Sequence, residues 1–460
     1  MTFMLVLKTQ LHKLAVSYTV VLVAVNLYFY NYAKILSAFH KPSDIRFNIY
    51  GDPQIEGDAK IDRQPYIGKT DLIVNDYYLR HIYKSTLDAF SPQYAVTMGD
   101  IFSSQWVSKS EYYKRIHRFK WISNQIDSQN NTVSGSHLYY YLAGNHDIGY
   151  GEETRLYHIA RYNNNFGPLN RMWYVNTFNN EDNNSGKTSK GLHQIAILNA
   201  MNLDKTRKEE YRKDTWDFVF DLVKLRAARP DIPLVLFLHI PLNKPSGMCE
   251  PHPRIEFVDG FVSYQDYLSP TVSAYLLHCL NPTIVFNGHD HNGCLATHKI
   301  QNQPISLPIA LGDSEKTLQS ATDLCNMSLE ELDAYSLEIE QFAQRTVYST
   351  AASNISAGFD SWSTIEITVR SAMGAYNGVT GIFDISYVEK PFATGDQHQS
   401  ARSSSTRKMQ VFGSRQMESL VGNNEYRYRE VALGHHLIVR ILLITDLVSC
   451  IVVPLIILLV

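Results

Sequence analysis

The chain has 460 residues, 45% of them hydrophobic and 12% aromatic, including 29 tyrosines. That composition is globular and excludes a low-complexity or disordered chain. A formal net charge of −3 offers no basic excess to meet a phosphate backbone, so no nucleic-acid partner is expected.

Residues 1–13 form a short N-terminus, expected to be cytosolic. From Leu14 to Ala33, "LAVSYTVVLVAVNLYFYNYA" carries no charge, and Lys13 and Lys34 bracket it. The run has the length a helix needs to cross a hydrocarbon core. A cleaved signal peptide, a signal anchor and a buried core helix all fit this segment. It outlasts a typical signal core, so a retained transmembrane anchor over 14–33 is the expectation. Flanking lysines on both sides leave the positive-inside rule undecided.

Strand and helix patterns then alternate. "IRFNIY" (Ile45–Tyr50), "YAVTM" (Tyr94–Met98), "HLYYYLA" (His137–Ala143), "HQIAILNA" (His193–Ala200), "LVLFL" (Leu234–Leu238) and "TIVF" (Thr283–Phe286) read as strands. Helical spacing covers Asp71–Phe90, Tyr112–Ile122, Thr215–Arg229 and Thr271–Leu280. This rhythm predicts an α/β layered domain over 42–389. Asn176–Lys190 is a polar surface loop. Residues 390–436, rich in Ser, Arg and Gln around "QSARSSSTRKM", read as a flexible polar tether. The last stretch, 437–460, is apolar but holds Arg440 and Asp446. A removable lipid-anchor signal is uniformly apolar, so a second transmembrane helix is expected there. The predicted fold class is therefore α/β with one transmembrane helix at each end.

Asn130, Asn183, Asn326 and Asn354 each head an N-x-S/T glycosylation pattern, which favours a lumenal over a cytosolic middle of the chain. Cys249, Cys279, Cys294 and Cys325 lie in that middle, and Cys450 lies in the last apolar stretch. Two disulfides and four buried thiols are both compatible with this count.

A polar cluster follows each of five predicted strands: Gly51-Asp52-Pro53-Gln54, Gly99-Asp100, Gly144-Asn145-His146-Asp147, His239-Ile240-Pro241 and Gly288-His289-Asp290-His291. In α/β sheets, sites assemble beyond the carboxyl ends of the strands. These residue types suit two divalent cations sharing a bridging carboxylate. Such a pair clamps a phosphoryl group and activates water. With Asp290 turned away, His289 and His291 can serve both ions.

The ordered series GDPQ, GD, GNHD, HIP and GHDH resembles the calcineurin-like metallophosphoesterase superfamily over roughly Arg46 to Leu311. The resemblance implies a β-sandwich flanked by helices. It also implies Asp52, Gln54 and His291 on one metal, Asn145, His239 and His289 on the other, and Asp100 between them. His146 would stand against Asp147 and donate toward the leaving oxygen. Gln54 replaces the histidine usual at its position. An amide oxygen is the harder ligand, which favours Mn²⁺ over zinc. "GDPQIEGD", "MGDIFSSQWVS", "GHDHNGC" and the segment Ser363–Tyr387 further resemble a membrane-anchored branch of the endoplasmic reticulum (ER). Members of that branch remove ethanolamine phosphate from glycosylphosphatidylinositol (GPI) anchors. This implies a GPI glycan as substrate (second mannose favoured over first), ER cargo-export receptors as partners, and a lumenal phosphodiesterase. Aromatic and acidic groups suit the ethanolamine ammonium. Glu56, Asp58 and Tyr264 are candidates for that contact, against the alternative that the two acids are solvated loop charges. Two rival readings stand beside this one: a phosphodiesterase for another lipid or nucleotide, and a weakly catalytic scaffold for cargo export.

Overall fold

In this computed structural model all residues are described except 1, 127–128, 130–131, 133–136, 180–187, 250–253, 302–306, 312–313, 319–320, 337–338, 340–346, 350–360, 389–403, 412–413, 422, 434–443, 447, 452 and 455–460. The chain opens with helix α1 (Thr2–Tyr30) and helix α2 (Tyr32–Ala38). A single turn residue, Asn31 (φ −99°, ψ 8°), separates them; its N–H bonds to Leu27 O and its carbonyl accepts from Ile35 N–H. Strand β1 (Ile45–Tyr50), helix α3 (Asp58–Arg63), helix α4 (Gly68–Phe90), strand β2 (Tyr94–Thr97), helix α5 (Lys109–Ile122) and strand β3 (Leu138–Tyr141) follow. Next come helix α6 (Asn145–Ile148), helix α7 (Leu156–Phe166), strands β4 (Arg171–Asn179) and β5 (Thr188–Ile197), helix α8 (Glu209–Ala228) and strand β6 (Leu234–Phe237). Then come hairpin strands β7 (Ile255–Val258) and β8 (Phe261–Gln265), helix α9 (Pro270–Tyr275), and strands β9 (Ile284–Asn287), β10 (Cys294–Gln301), β11 (Leu307–Leu311), β12 (Ser314–Leu318), β13 (Val347–Ser349) and β14 (Ser361–Thr368). Strands β15 (Val379–Tyr387), β16 (Ser404–Val411), β17 (Ser414–Val421) and β18 (Asn424–Ala432) complete the domain.

Two seven-stranded sheets form, ordered β16-β17-β18-β15-β1-β2-β3 and β13-β10-β14-β9-β6-β5-β4. Strands β1, β2 and β3 run parallel, as do β5, β6, β9 and β14. The inner faces interdigitate: Phe47, Val96, Phe237, Phe286 and Phe383 are all fully buried in one cluster. The Phe286 and Phe383 rings meet across it at 4.8 Å. Parallel strands buried on both faces read as continuous apolar runs, which is why their short motifs were legible. Helices α4, α5, α8 and α9 cover the outer faces, each by an apolar stripe.

Three expectations are revised or resolved. Much of the tether expected over 390–436 is sheet. Strands β16, β17 and β18 extend the first sheet from β15, and Met417, Tyr426 and Tyr428 are buried. Their alternation is carried by Tyr, Arg and Glu rather than aliphatic residues, so the composition masked it. The helix expected over Thr271–Leu280 is α9, capped by Ser269 with Pro270 at its first position, followed by a π-helical turn over Leu276–Leu280. The cysteines pair as Cys249–Cys294 and Cys279–Cys325.

At the N-terminus, Thr9–Tyr30 is apolar and long enough to cross a membrane, and is the one such helix among the described residues. Most of 437–460 lies outside the described residues. Its helical pieces face α1, where Asn26 Nδ2 donates to Asp446 Oδ1 at 3.1 Å and the Tyr18 and Ser449 hydroxyls share a bond of 2.9 Å. The pairing runs antiparallel.

Candidate metal centre

The site is built where the carboxyl ends of β1, β2, β3, β6 and β9 meet. Backbone bonds fasten the first two loops together, Gln54 N–H to Asp100 O and Ile55 N–H to Ile101 O, both at 2.9 Å. Gly99 has φ +101°, and a Cβ there would stand 2.6 Å from His239 Nδ1 and 2.9 Å from the Gly144 nitrogen. Only glycine lets these three loops close on one another. Asp52, Gln54, Asp100 and His289 have φ values of 30°, 41°, 47° and 66°. Left-handed backbone at non-glycine residues costs on the order of 1 kcal/mol or more each. The surrounding ladder imposes it here on four of the expected ligands.

Side chains then converge. Asp100, His239 and His289 each point one donor atom into a space where all three lie within 4.8 Å of one another. His239 Nε2 is 3.5 Å from Asp100 Oδ1 and 3.3 Å from Asn145 Oδ1. Gln54 Nε2 is 3.2 Å from both Asp100 Oδ2 and His291 Nε2. Half a turn of that amide puts Oε1 in the same place. His291 Nε2 lies 4.0 Å from Asp52 Oδ2.

Outer contacts aim the donors. His239 Nδ1 donates to Met98 O at 2.7 Å, leaving Nε2 free as a ligand. His289 Nε2 donates to Gln265 O at 3.0 Å, leaving Nδ1. Burial lowers the pKa of all three histidines, His289 to about 3 and His291 to about 4. They are neutral nitrogen donors at pH 7. Burial raises Asp52, and the neighbouring Asp100 adds to that. Burial would raise Asp100 too, but His239, His146 and His289 outweigh it and hold its carboxyl low. Asp52 Oδ1 is buried with no hydrogen-bond partner. An orphaned carboxylate oxygen among neutral imidazoles fits divalent cations, which supply the missing charge.

His146 departs from its implied neighbour. Its Nε2 stands 3.8 Å from Asp100 Oδ2, and its backbone N–H donates to Asp100 Oδ1 at 2.9 Å. The Asp147 carboxylate accepts instead from the Gly144, Ile101 and Phe102 amides, locking the loop. His146 remains part-exposed at the mouth of the site. Glu56 is paired with Lys60 and Arg63 at 2.6 and 2.7 Å, and Asp58 is exposed near Lys114. These acids belong to a surface ion-pair network. Tyr264 adjoins the Gln265 carbonyl that holds His289. Its hydroxyl donates to Asp266 at 2.6 Å, and Arg254 lies over its ring. Of the glycosylation candidates, Asn326 is exposed; Asn130, Asn183 and Asn354 lie outside the described residues.

A model of the calcineurin-like phosphoesterases matches residues 46–293, more than half of the chain. The chain belongs to that family. Its members are hydrolases of phosphoric esters. An uncharacterized protein of Schizosaccharomyces pombe is 31% identical over 285 residues, covering 57% of this chain and 65% of that one. Protein TED1 of Saccharomyces cerevisiae is 27% identical over 321 residues (55% and 65%). Metallophosphoesterase 1 of Ailuropoda melanoleuca is 27% identical over 249 residues (52% and 60%). The match thus spans less than two thirds of each relative's length.

Sequence reasoning missed the scaffold behind these ligands. Buried Glu366 on β14 accepts from Lys244 Nζ, Asn287 Nδ2 and the Leu242 amide at 2.6, 2.6 and 2.9 Å, and lies 2.6 Å from His298 Nε2. It ties the loop after His239 to the strand before His289. Arg415 on β17 donates to Asn292 O at 3.0 Å, backing the His291 turn. A buried Lys244 three residues beyond Pro241 was the one available signal.

Proposed function

We propose that this protein is a metal-dependent phosphodiesterase of the ER lumen that removes ethanolamine phosphate from a mannose of GPI anchors, the second mannose favoured, and so promotes export of GPI-anchored cargo. The observation that carries the reaction type is the buried, unpartnered Asp52 oxygen, 3.5 Å from the His239 ring, beside the converging donors of Asp100, His239 and His289. The substrate rests on the motif resemblance and on the likeness to TED1 and Metallophosphoesterase 1. Two disulfides and an exposed Asn326 sequon support an oxidising lumen. The apolar α1 supports an anchor, and the bonds from Asp446 and Ser449 to Asn26 and Tyr18 support a second span in the last apolar stretch.

Two cations, Mn²⁺ favoured, would be held by Asp52, Gln54 and His291 and by Asn145, His239 and His289, with Asp100 common to both sets. Bound there, they supply positive charge to the phosphoryl oxygens and lower the pKa of water. The protein groups do the rest. Asp100 fixes His146 through its backbone amide. His146 Nε2, open to the site mouth, gives a proton to the mannose oxygen as the P–O bond breaks. Water oxygen ends on phosphorus, releasing phosphoethanolamine. Gln54, an amide at a position usually held by histidine, favours one second reading, a weakly catalytic export scaffold.

The test uses the full chain with Mn²⁺ and a GPI bearing ethanolamine phosphate on known mannoses, read by mass spectrometry. Loss from a single mannose is expected, and none with the Asn145→Ala/His289→Ala double variant. A GPI left intact under every metal, with a generic phosphodiester also untouched, would move the assignment to the scaffold.

A further inference from the structure

The three histidines of the centre are aimed by different means. His239 and His289 each donate from the ring nitrogen that faces away from the centre, to Met98 O and Gln265 O. Such an outer bond fixes the orientation of a metal-bound imidazole. His291 has no counterpart to it. Its Nε2 lies 3.2 Å from Gln54 Nε2 and 4.0 Å from Asp52 Oδ2, and among the described residues no protein group bonds its Nδ1. The backbone around it is well fixed. The His291 carbonyl accepts from Ser371 N–H at 3.1 Å, and Arg415 holds the next carbonyl, that of Asn292. A fixed backbone still leaves the side-chain torsions, and so the direction of the ring, to be set by what packs on it.

Among the described residues the ring packed against His291 is that of Tyr376, 4.9 Å away and at 71° to it. This is the edge-to-face arrangement that aromatic pairs favour. The segment that carries Tyr376 is sewn to the loops that bear Asp52 and His291. Ser371 Oγ donates to Asp52 O at 2.9 Å, and Ala372 N–H donates to Gly51 O at 2.7 Å. A single helical turn over Gly374–Tyr376 follows. It closes on itself, with Met373 O accepting from Tyr376 N–H and Gly378 N–H at 3.0 and 3.1 Å. Gly378 has φ +56°, and a Cβ there would run into the Tyr78 hydroxyl of α4. The Gly378 carbonyl accepts from Leu433 N–H, just after β18, at 3.2 Å. The turn is thus pinned between α4 and the end of β18, and Tyr376 meets His291 from a fixed place.

We propose that Tyr376 is the positioning residue for His291, and that through it the segment from Ser371 to Gly378 sets how firmly the first ion is held, independently of the second. The proposal rests on the ligand sets given above, with Asp52, Gln54 and His291 on the first ion. Asp52 and His291 are the residues this segment grips, whereas His239 and His289 of the second set are aimed by Met98 and Gln265, outside it. A ring contact restrains direction but lends an imidazole no basicity, which an outer hydrogen bond does. With an amide, Gln54, as its neighbour, His291 is the nitrogen ligand of the first ion, and that ion depends on the ring staying in place. Removing a group that orients a metal ligand costs about 10–100-fold in metal affinity. A single ring contact belongs at the lower end of that range.

The experiment follows binding of Mn²⁺ to the full chain by titration calorimetry, which needs no substrate. The wild type should take up two ions. Tyr376→Ala should weaken one binding step by roughly tenfold and spare the other, and Asn145→Ala should weaken the step that Tyr376→Ala spares. Tyr376→Phe keeps the ring and should match the wild type. Tyr376→Leu keeps most of the bulk without the ring and should follow Tyr376→Ala. Both steps weakened alike, neither weakened, or Tyr376→Phe as damaging as Tyr376→Ala would overturn the positioning and leave the ligand sets standing. Weakening of one and the same step by Tyr376→Ala and Asn145→Ala overturns it too. A wild type that binds fewer than two Mn²⁺ overturns the two-ion ligand sets, and the proposal with them.

Discussion

In the proposed ligand set, Gln54 is the residue that sets the choice of metal. Its amide stands 3.2 Å from both Asp100 and His291, where an imidazole would bring a softer nitrogen. On the proposed ligand set, Gln54→His should tighten metal retention by on the order of tenfold and raise the affinity for Zn²⁺ relative to Mn²⁺. Metal content after gel filtration, measured by mass spectrometry, checks it; unchanged stoichiometry and preference would count against Gln54 as a ligand. The expected ligands were legible because each is tied to a strand end by one or two residues, so short apolar runs located them. The Gln265 carbonyl was not legible. Any residue supplies a backbone oxygen, and only the fold decides which one meets His289.

At the level of elements, β14 and β17 hold the site from behind. Burial alone would raise Glu366, but the Lys244 ammonium and His298 outweigh it and hold its carboxyl at about 2. Glu366→Gln leaves Lys244, 2% exposed, as an unpaired buried cation and should cost about 3–5 kcal/mol of unfolding free energy. Urea titration reads this, and Lys244→Met added to it should restore much of the loss. His193 on β5, fully buried against Tyr426 at 3.0 Å, gives a pH signature. Burial lowers its pKa from the ordinary 6.5 to about 4. The unfolded chain therefore takes up a proton near pH 6.5 that the folded one refuses until about 4. This contribution is whole above pH 6.5 and is lost as pH falls toward 4, on the order of 3 kcal/mol. His193→Gln should flatten that part of the stability curve; an unaltered slope would show that the imidazole titrates normally in the fold. These elements also mark the limit of sequence reading. The parallel strands showed as apolar runs, whereas β16–β18 pair through Tyr, Arg and Glu, and looked like linker.

Over the whole molecule, the two disulfides divide the labour. Each closes a loop of about the same size, with separations of 45 and 46 residues, worth about 4 kcal/mol by loop entropy. Cys294 follows the His291 turn directly, while Cys279–Cys325 lies beyond α9. Cys279→Ser/Cys325→Ser should lower the urea midpoint and spare metal content. Cys249→Ser/Cys294→Ser should lower both. Equal metal retention in the two would contradict this division.

The pairing of β1 with β15 has a consequence for biogenesis. Arg46 and Asp384 are partners across 338 residues of chain, and β1 is interior to its sheet. At 5–20 residues per second of synthesis, one edge of β1 waits roughly 15–70 seconds for its neighbour. During that interval the nascent chain presents a bare, apolar strand edge. A chain cut after β14 keeps that edge unpaired for good and is expected to aggregate where the whole chain does not.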